Sequence, residues 1–373
     1  MTGFLIPTAE RQADQDTPRP GADPTPADIV IVVPMYRESP QTCARSASGM
    51  LRLAHPRERI TVLWLVPEGD ELSLGPARAA FARLATAGFD PRSQVRTVPD
   101  MRPKGRALNH VLPDLNGHDI VLFLDADVMP GPTQLTDVVR AFDEGADLVE
   151  AFEFHEARTW VGRAIAAENA AHIASMMFLQ QRLGTPFLQG SSVYVSTAFL
   201  AKTGGFIDDE AEECFVWSMF AGRHDPQVRF LANFSYGAPI DELTTALRQR
   251  VRWLRGQLAA LKHLPSPRLT PAGRLALAAT GASIVAQLTL PPALLLARRG
   301  SRTRRIALAA LALEAVRIAR TAASPQWRHL GIKDGWWTLL AFELVQGVAG
   351  WRAVFELATD DKVWHSVRGD GHV

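Results

Sequence analysis

The sequence predicts an α/β fold in which a mostly parallel sheet is covered by helices on both faces. Short runs of β-branched and other apolar residues recur from residue 28 onward, and helical stretches of about 10–15 residues separate them. The runs show little polar alternation, as expected for strands that are buried on both faces. Apolar residues make up 47% of the 373 residues and charged residues 21%, which is typical of a folded protein.

The individual elements follow from where each run ends. Strands are expected at Ile29–Val33, Ile60–Val66, Gln94–Val98 and Ile120–Leu124, then directly after Gly190-Ser191-Ser192 and at Val228–Ala232. Helices are expected at Thr42–Ala54, Lys104–Leu115, Thr159–Leu183 and Leu243–Leu261. Ligands bind beyond the carboxyl ends of the strands in such sheets, so the residues after each strand are the first candidates for a site.

The helix expected at Leu243–Leu261 has two different faces. At about 100° per residue, one apolar stripe collects Leu243, Leu247, Val251, Leu254, Leu258 and Leu261. Gln249, Arg252 and Trp253 lie on roughly the opposite side. A Trp beside an Arg is unusual for core packing. We therefore expect the apolar face to pack on protein or lipid and the other face to line a site.

Two apolar segments follow this helix. Leu275–Ala297 has 23 residues and would span roughly 35 Å as a helix, enough to cross a bilayer, although Pro291-Pro292 is expected to kink or end it. Five arginines within Arg298–Arg305 would then fall on the disfavoured side. Gly335–Leu357 is also apolar, and Trp336, Trp337 and Trp351 are expected as interfacial anchors. The alternatives are a spanning helix, a hairpin or interfacial helix, and an apolar domain buried in a soluble oligomer.

Charge and cysteine content exclude several classes of protein. A formal net charge of +1 argues against a general nucleic-acid binder. Cys43 and Cys214 are the only cysteines, which rules out a disulfide framework and a Cys-based zinc module. Residues 1–27 contain five prolines and no basic-then-apolar pattern, so a disordered leader without a secretory signal is expected. The catalytic part is therefore expected to face the cytoplasm.

Asp125-Ala126-Asp127 is the first candidate for chemistry. It directly follows a strand expected to be buried, at the lip of the sheet. Two carboxylates at this spacing can hold a hard divalent cation, which can in turn bridge a nucleotide diphosphate. Such pairs also occur in plain surface turns, so the motif alone leaves both interpretations open.

Five short motifs occur in order along the chain. They are Val33-Pro34-Met35-Tyr36-Arg37-Glu38, Lys104-Gly105-Arg106-Ala107-Leu108-Asn109, Asp125-Ala126-Asp127, Gly204-Gly205-Phe206 with Glu212-Glu213, and Gln249-Arg250-Val251-Arg252-Trp253. This set resembles the inverting family 2 glycosyltransferases, in the membrane-associated branch with a Gln-x-x-Arg-Trp motif. The resemblance covers about Ile29–Leu264. It implies a GT-A fold, a nucleotide-sugar donor and a divalent cation, Mg²⁺ or Mn²⁺.

The resemblance also implies a role for each matching position. Pro34, Tyr36 and Glu38 would line the nucleotide pocket, and Glu68 or Asp70 would face the base. Lys104 would approach the base or the diphosphate, Asp125 would contact the ribose or the diphosphate, and Asp127, with Asp125 beside it, would hold the metal. Gln249, Arg252 and Trp253 would clamp the donor diphosphate and stack in the acceptor channel, and the turn Gln189–Ser192 would shape the acceptor site.

An inverting transfer needs one base to deprotonate the acceptor hydroxyl. In the family this base is the Asp of a Thr-Glu-Asp-like motif, and the matching text here is Ala211-Glu212-Glu213-Cys214. Glu213 takes the place of the Asp, with Glu212 as the alternative. Arg37 also departs from the family, where Asn is common. A Cys nucleophile at Cys214 is disfavoured because no His lies nearby in sequence.

These observations predict a membrane-associated, metal-dependent, inverting glycosyltransferase. It would move a sugar, most plausibly from a UDP-sugar, to a lipid-linked or small-molecule acceptor at the cell membrane. The alternatives are a synthase of a short β-linked polymer and a non-catalytic nucleotide-sugar-binding scaffold. The expected domains are a leader at 1–27, the GT-A domain at 28–240, the motif helix at 241–270, membrane-associated helices at 271–358 and a tail at 359–373.

Overall fold

The structure is a computed structural model that describes residues 26–99, 104–155, 158–296, 298, 300–309, 312 and 335–359. Most of the expected leader and nearly all of the expected tail lie outside these residues. So do Arg299 of the arginine-rich segment Arg298–Arg305 and most of the residues from 310 to 334.

Seven strands form one sheet. They are β1 (Ile29–Pro34), β2 (Ile60–Pro67), β3 (Gln94–Val98), β4 (Ile120–Leu124), β5 (Leu148–His155), β6 (Ser192–Ser196) and β7 (Val228–Gly237). The strand order in the sheet is β3-β2-β1-β4-β6-β5-β7. The pairs β1–β2, β1–β4, β2–β3 and β5–β7 are parallel. Strand β6 runs antiparallel to both neighbours, so the sheet is mostly parallel, as predicted.

The helices of the described chain precede or follow these strands. They are α1 (Pro40–Met50), α2 (Glu71–Thr86), α3 (Lys104–Val111), α4 (Gln134–Asp143), α5 (Trp160–Leu183), α6 (Thr197–Thr203), α7 (Glu213–Ala221), α8 (Leu243–Ala260), α9 (Pro271–Leu296) and α10 (Gly335–Ala358). Helix α1 begins two residues before the expected start because the Ser39 side chain accepts a hydrogen bond from the Thr42 N–H and Pro40 fills the first position.

The sheet is buried on both faces, which explains its uninterrupted apolar runs. Residues Ile29, Ile31 and Val33 of β1 belong to one core, with α1 and α2. Val30 and Val32, on the opposite face, belong to a second core that includes residues of α3 and α7. Successive side chains of a strand point to opposite faces, so β1 contributes to both cores.

The C-terminal helices pack on helix α8. Val251 and Leu254 of α8 are buried against Ile284 of α9 and Ala349 of α10. The apolar stripe of α8 therefore packs on protein, except at its start, where Leu243 is exposed. Helix α9 continues to Leu296, so of the two expected effects of Pro291-Pro292, a kink or an end of the helix, the second does not occur. Within the described residues, no helix is both long enough and apolar enough to cross a membrane.

Candidate active site

A cleft of about 270 Å³ lies where the carboxyl ends of β1 and β4 meet helices α3, α7 and α8. Eleven of the residues that the sequence assigned to the site line it together: Pro34, Tyr36, Glu38, Lys104, Asp125, Asp127, Glu212, Glu213, Gln249, Arg252 and Trp253. The expected acceptor turn contributes Gln189, Gly190 and Ser191. These residues come from segments up to more than two hundred residues apart in sequence, and the fold brings them together around one cleft.

The loop after β1 is held in an unusual conformation at the cleft. Arg37 has a φ of 54°, in the left-handed region that non-glycine residues seldom adopt. Its backbone N–H donates to Asp70 Oδ2 at 2.8 Å, and the Glu38 N–H donates to Ser73 Oγ at 2.9 Å. Asp70 thus caps α2 and fixes this loop. Glu68 is exposed and does not line the cleft, so its contact with a nucleotide base stays a prediction.

Lys104 joins two of the candidate carboxylates. Its Nζ lies 3.0 Å from Asp125 Oδ1 and 2.7 Å from Glu213 Oε1. Burial of Lys104 acts to lower its pKa, but the two carboxylates outweigh burial and raise the pKa well above its usual value. The ammonium therefore stays charged and links the end of β4 to the start of α7.

The cleft concentrates negative charge near Asp127. Burial raises the pKa of Asp125; Lys104 opposes this shift and Asp127 adds to it. Burial also raises the pKa of Glu153, His155 opposes that shift, and Asp127 and Asp125 add to it. Glu153 and His155 lie at the end of β5 with their side chains 3.3 Å apart. Each of these carboxyls would be ionised more readily with a cation beside it.

The donor set fits a divalent cation that is shared with a substrate. Asp125 and Asp127 offer the hard carboxylate oxygens that Mg²⁺ and Mn²⁺ prefer. No group of three or more His, Cys, Asp or Glu side chains within the described residues could hold a metal ion. An ion at Asp125 and Asp127 would thus need further ligands from diphosphate oxygens and water, as Mg²⁺ often does.

The two adjacent glutamates differ in their surroundings. Glu213 is the first residue of α7, is only 5% exposed and pairs with Lys104. Burial raises the pKa of Glu212 to about 8, although the charge of Arg252 acts in the opposite direction. Glu212 reaches across to α8, where a Cβ on Gly256 would lie 2.4 Å from Glu212 Cγ. Both carboxyl groups face the cleft, so both remain candidates for the base.

Glu150 is a functional candidate that the sequence analysis missed. It lies on β5, is 2% exposed, and its Oε1 accepts hydrogen bonds from the backbone N–H groups of Gln189 at 2.6 Å and Gly190 at 3.3 Å. Gly190 has a φ of 96°, and a Cβ there would lie 2.7 Å from Cys214 Cβ. Glu150 and this glycine thus fix the expected acceptor turn, and Cys214 is a packing residue. Glu150 would have been a candidate if a strand had been predicted at Leu148–His155.

Glu150→Gln should make stability less dependent on pH. Burial raises the pKa of Glu150 to about 8, although the two N–H groups pull it down. The folded state keeps a proton that the unfolded state releases, so stability is lost as pH rises from about 4.5 to about 8. We expect the free energy of unfolding of Glu150→Gln, relative to wild type, to rise by up to a few kcal/mol over this range.

Urea titrations at several pH values measure this difference. Glu144→Gln, at an exposed carboxylate after α4, is the control and should show no such slope. A difference between Glu150→Gln and wild type that stays constant from about pH 5 to about pH 8 would contradict the buried, proton-retaining carboxyl.

Comparisons with known proteins agree with this arrangement. The family described as "Glycosyltransferase like family 2" matches residues 26–256, more than half of the chain, and the chain belongs to this family. The mannosyltransferase PcManGT from Pyrobaculum calidifontis, solved in complex with GDP-Man and Mn2+, is 17% identical, with 95% of this chain and 94% of that chain covered and a TM-score of 0.53.

A second solved structure, S. aureus TarS 1-349 in complex with UDP-GlcNAc, is 11% identical. Its alignment covers 91% of this chain and 93% of that chain, with a TM-score of 0.46. No curated protein sequence matches this chain. The likeness to PcManGT shows a GT-A-like α/β fold, and the family match makes the chain a glycosyltransferase of the family 2 type.

Proposed function

We propose that this protein is an inverting glycosyltransferase that moves a sugar from a nucleotide sugar to a lipid-linked or small-molecule acceptor. The observation that carries the proposal is the convergence of Asp125, Asp127, Lys104, Glu213 and Arg252 on one cleft. Such a set combines a carboxylate base with cationic groups for a departing diphosphate. The match to a glycosyltransferase family supports the same reaction class.

In the proposed reaction, Glu213 accepts the proton of the acceptor hydroxyl as that oxygen attacks the anomeric carbon. The bond from this carbon to the diphosphate oxygen breaks, and the nucleoside diphosphate leaves with the electron pair. Lys104 and Arg252 offset its charge, and Trp253 orients the acceptor. A divalent cation held by Asp125 and Asp127, when bound, supplies Lewis-acid stabilisation of the diphosphate.

The direct test of the proposal is a screen of purified protein against nucleotide sugars with Mg²⁺ or Mn²⁺. UDP-sugars come first, followed by GDP-sugars, and release of nucleoside diphosphate is measured with and without candidate acceptors. Transfer from one of these donors would support the proposed activity. The length of the product distinguishes a single transfer from synthesis of a short polymer. Binding of a nucleotide sugar without turnover of any donor would favour the non-catalytic scaffold.

We also propose that the protein attaches to the cytoplasmic surface of the cell membrane through an interfacial helix face. Val348, Trp351 and Phe355 of α10 are 58%, 56% and 67% exposed and lie on one side of the helix. Arg352, next to Trp351 on the same helix, is also exposed. An apolar stripe with a basic residue beside it fits a surface of anionic lipid.

Replacing Trp351 and Phe355 together by Ser should weaken binding to phosphatidylglycerol vesicles by at least about tenfold, because both side chains would leave the lipid interface. Co-sedimentation with vesicles measures this change. Leu72→Ser is the matched control, since Leu72 on α2 is 68% exposed and belongs to another part of the surface. Equal binding by the double variant and the wild type would overturn the interfacial attachment.

A further inference from the structure

A buried ion pair lies directly behind Trp253. Arg250, on the same helix and three residues before Trp253, is 1% exposed and does not line the cleft. Its guanidinium carbon lies 4.3 Å from the centre of the Trp253 ring. A cation over an indole face at this distance is an attractive contact, and it is stronger where water is excluded. The inner face of Trp253 is therefore covered by a charged plane.

Arg250 is itself held by a glutamate of α5, and a glutamine of α10 holds that glutamate in turn. Its Nη2 donates to Glu168 Oε2 of α5 at 2.5 Å. Gln346 of α10 donates from Nε2 to the other oxygen, Glu168 Oε1, at 3.4 Å. A planar guanidinium cannot turn without losing the carboxylate or the ring. The ring and the carboxylate together fix the position of the guanidinium, and Gln346 helps to orient the carboxylate.

We propose that Arg250 is a positioning residue for Trp253, and that Glu168 and Gln346 set the orientation of Arg250. The inference rests on the proposed function in one respect, namely that Trp253 orients the acceptor. Through this relay, α10 helps to define the shape of the cleft, although Gln346 does not line it. An aromatic side chain whose plane is fixed before the acceptor binds loses less conformational freedom on binding.

A purely structural ion pair would affect stability alone, so the test needs a readout on the Trp253 ring. Protein labelled with fluorotryptophan gives one fluorine NMR resonance for each Trp, and Trp253→Phe assigns the resonance of Trp253. Arg250→Lys keeps the charge and loses the plane. Glu168→Gln keeps the shape and weakens the hold on Arg250. We expect both substitutions to shift or broaden the Trp253 resonance.

The kinetic part of the test separates positioning from stability. At a temperature well below unfolding, Arg250→Lys should lower kcat/KM for the acceptor by about 10- to 100-fold, because a small misplacement of a positioning group has an effect of that size. Affinity for the nucleoside diphosphate should stay unchanged. Arg92→Lys is the matched control, because Arg92 also pairs with a buried carboxylate, Asp90, and neither residue lines the cleft.

The possible results are distinct. An unchanged Trp253 resonance in both variants would overturn the proposal, whatever happens to thermal stability. If Arg250→Lys does not fold, the Trp253 resonance of Glu168→Gln is the test of the proposal. If the wild-type protein transfers no sugar, the proposed function fails, but the resonance still tests whether Arg250 positions Trp253. A positioning role would also be contradicted if Arg250→Lys lost no more activity than the control Arg92→Lys.

Discussion

Replacing Glu213 by Gln should lower turnover by about 10²–10⁴, the usual contribution of a general base. The amide keeps the shape of the side chain and cannot accept the acceptor proton. Affinity for the nucleoside diphosphate should survive, because Lys104 keeps its second partner, Asp125, at 3.0 Å. Single-turnover rates with saturating donor measure the first effect, and calorimetry with nucleoside diphosphate measures the second.

Glu212→Gln is the control at the neighbouring carboxyl and should have a milder effect. Burial raises the pKa of Glu212 to about 8, so near neutral pH this group carries a proton for much of the time and resembles an amide. An inactive Glu212→Gln beside an active Glu213→Gln would assign the base to Glu212. Full activity in both variants would place the base outside this motif.

Asp127→Asn should reduce transfer by at least about 10²-fold, comparable to the loss of one group that stabilises a developing charge. The fold should be retained, because the Asp127 charge raises the pKa of both Asp125 and Glu153 and so opposes the ionisation of its neighbours. Rates measured over a range of Mg²⁺ and Mn²⁺ concentrations test this expectation.

Asp143→Asn, at an exposed carboxylate at the end of α4, is the matched control and should leave the rates unchanged. Loss of activity in EDTA, restored by added cation, should accompany the effect in the wild-type protein. Full wild-type activity in EDTA would contradict a metal at Asp125 and Asp127, and would leave Lys104 and Arg252 as the groups that offset the diphosphate charge.

Much of the fold follows from the sequence where apolar runs are uninterrupted. Strand β4 lies where it was predicted because Ile120–Leu124 is apolar throughout and buried. Strand β5 was missed because Glu150, Glu153 and His155 interrupt its apolar pattern. Glu153 and His155 line the cleft, and Glu150 accepts hydrogen bonds from the acceptor turn. The strand pattern is therefore interrupted at positions that belong to the candidate site. Such conflicts between local pattern and fold are expected at functional sites.

The sequence predicted which residues line the candidate cleft better than it predicted their contacts. The motif helix α8 brings Gln249, Arg252 and Trp253 to the cleft, as the period of its apolar stripe predicted. The pairing of Lys104 with both Asp125 and Glu213 depends on how α3 and α7 meet, and no local pattern specifies that. A Cβ on Gly105 would lie 3.1 Å from Glu213 Cβ, so a larger residue there would push Glu213 away by a few tenths of an ångström.

In the C-terminal region, the sequence did not show that an apolar helix packs on the rest of the protein. Hydropathy alone treats α9 as a separate apolar segment, whereas Ala276 and Leu277 are buried against Phe215 and Met219 of α7. The sequence alone cannot distinguish apolar helix residues that pack on a protein core from apolar helix residues that face lipid. The exposed face of α10 could be separated from the buried one only after the packing was known.

The proposed reaction is a single displacement at the anomeric carbon with one carboxylate base. NMR of the reaction with the active donor measures it most directly, because the one-bond coupling between the anomeric carbon and its proton in the product reports the configuration. From an α-linked nucleotide sugar, we expect a β-linked product as the first product formed. An α-linked product at the earliest times would contradict it, because retention requires a different arrangement of nucleophile and base.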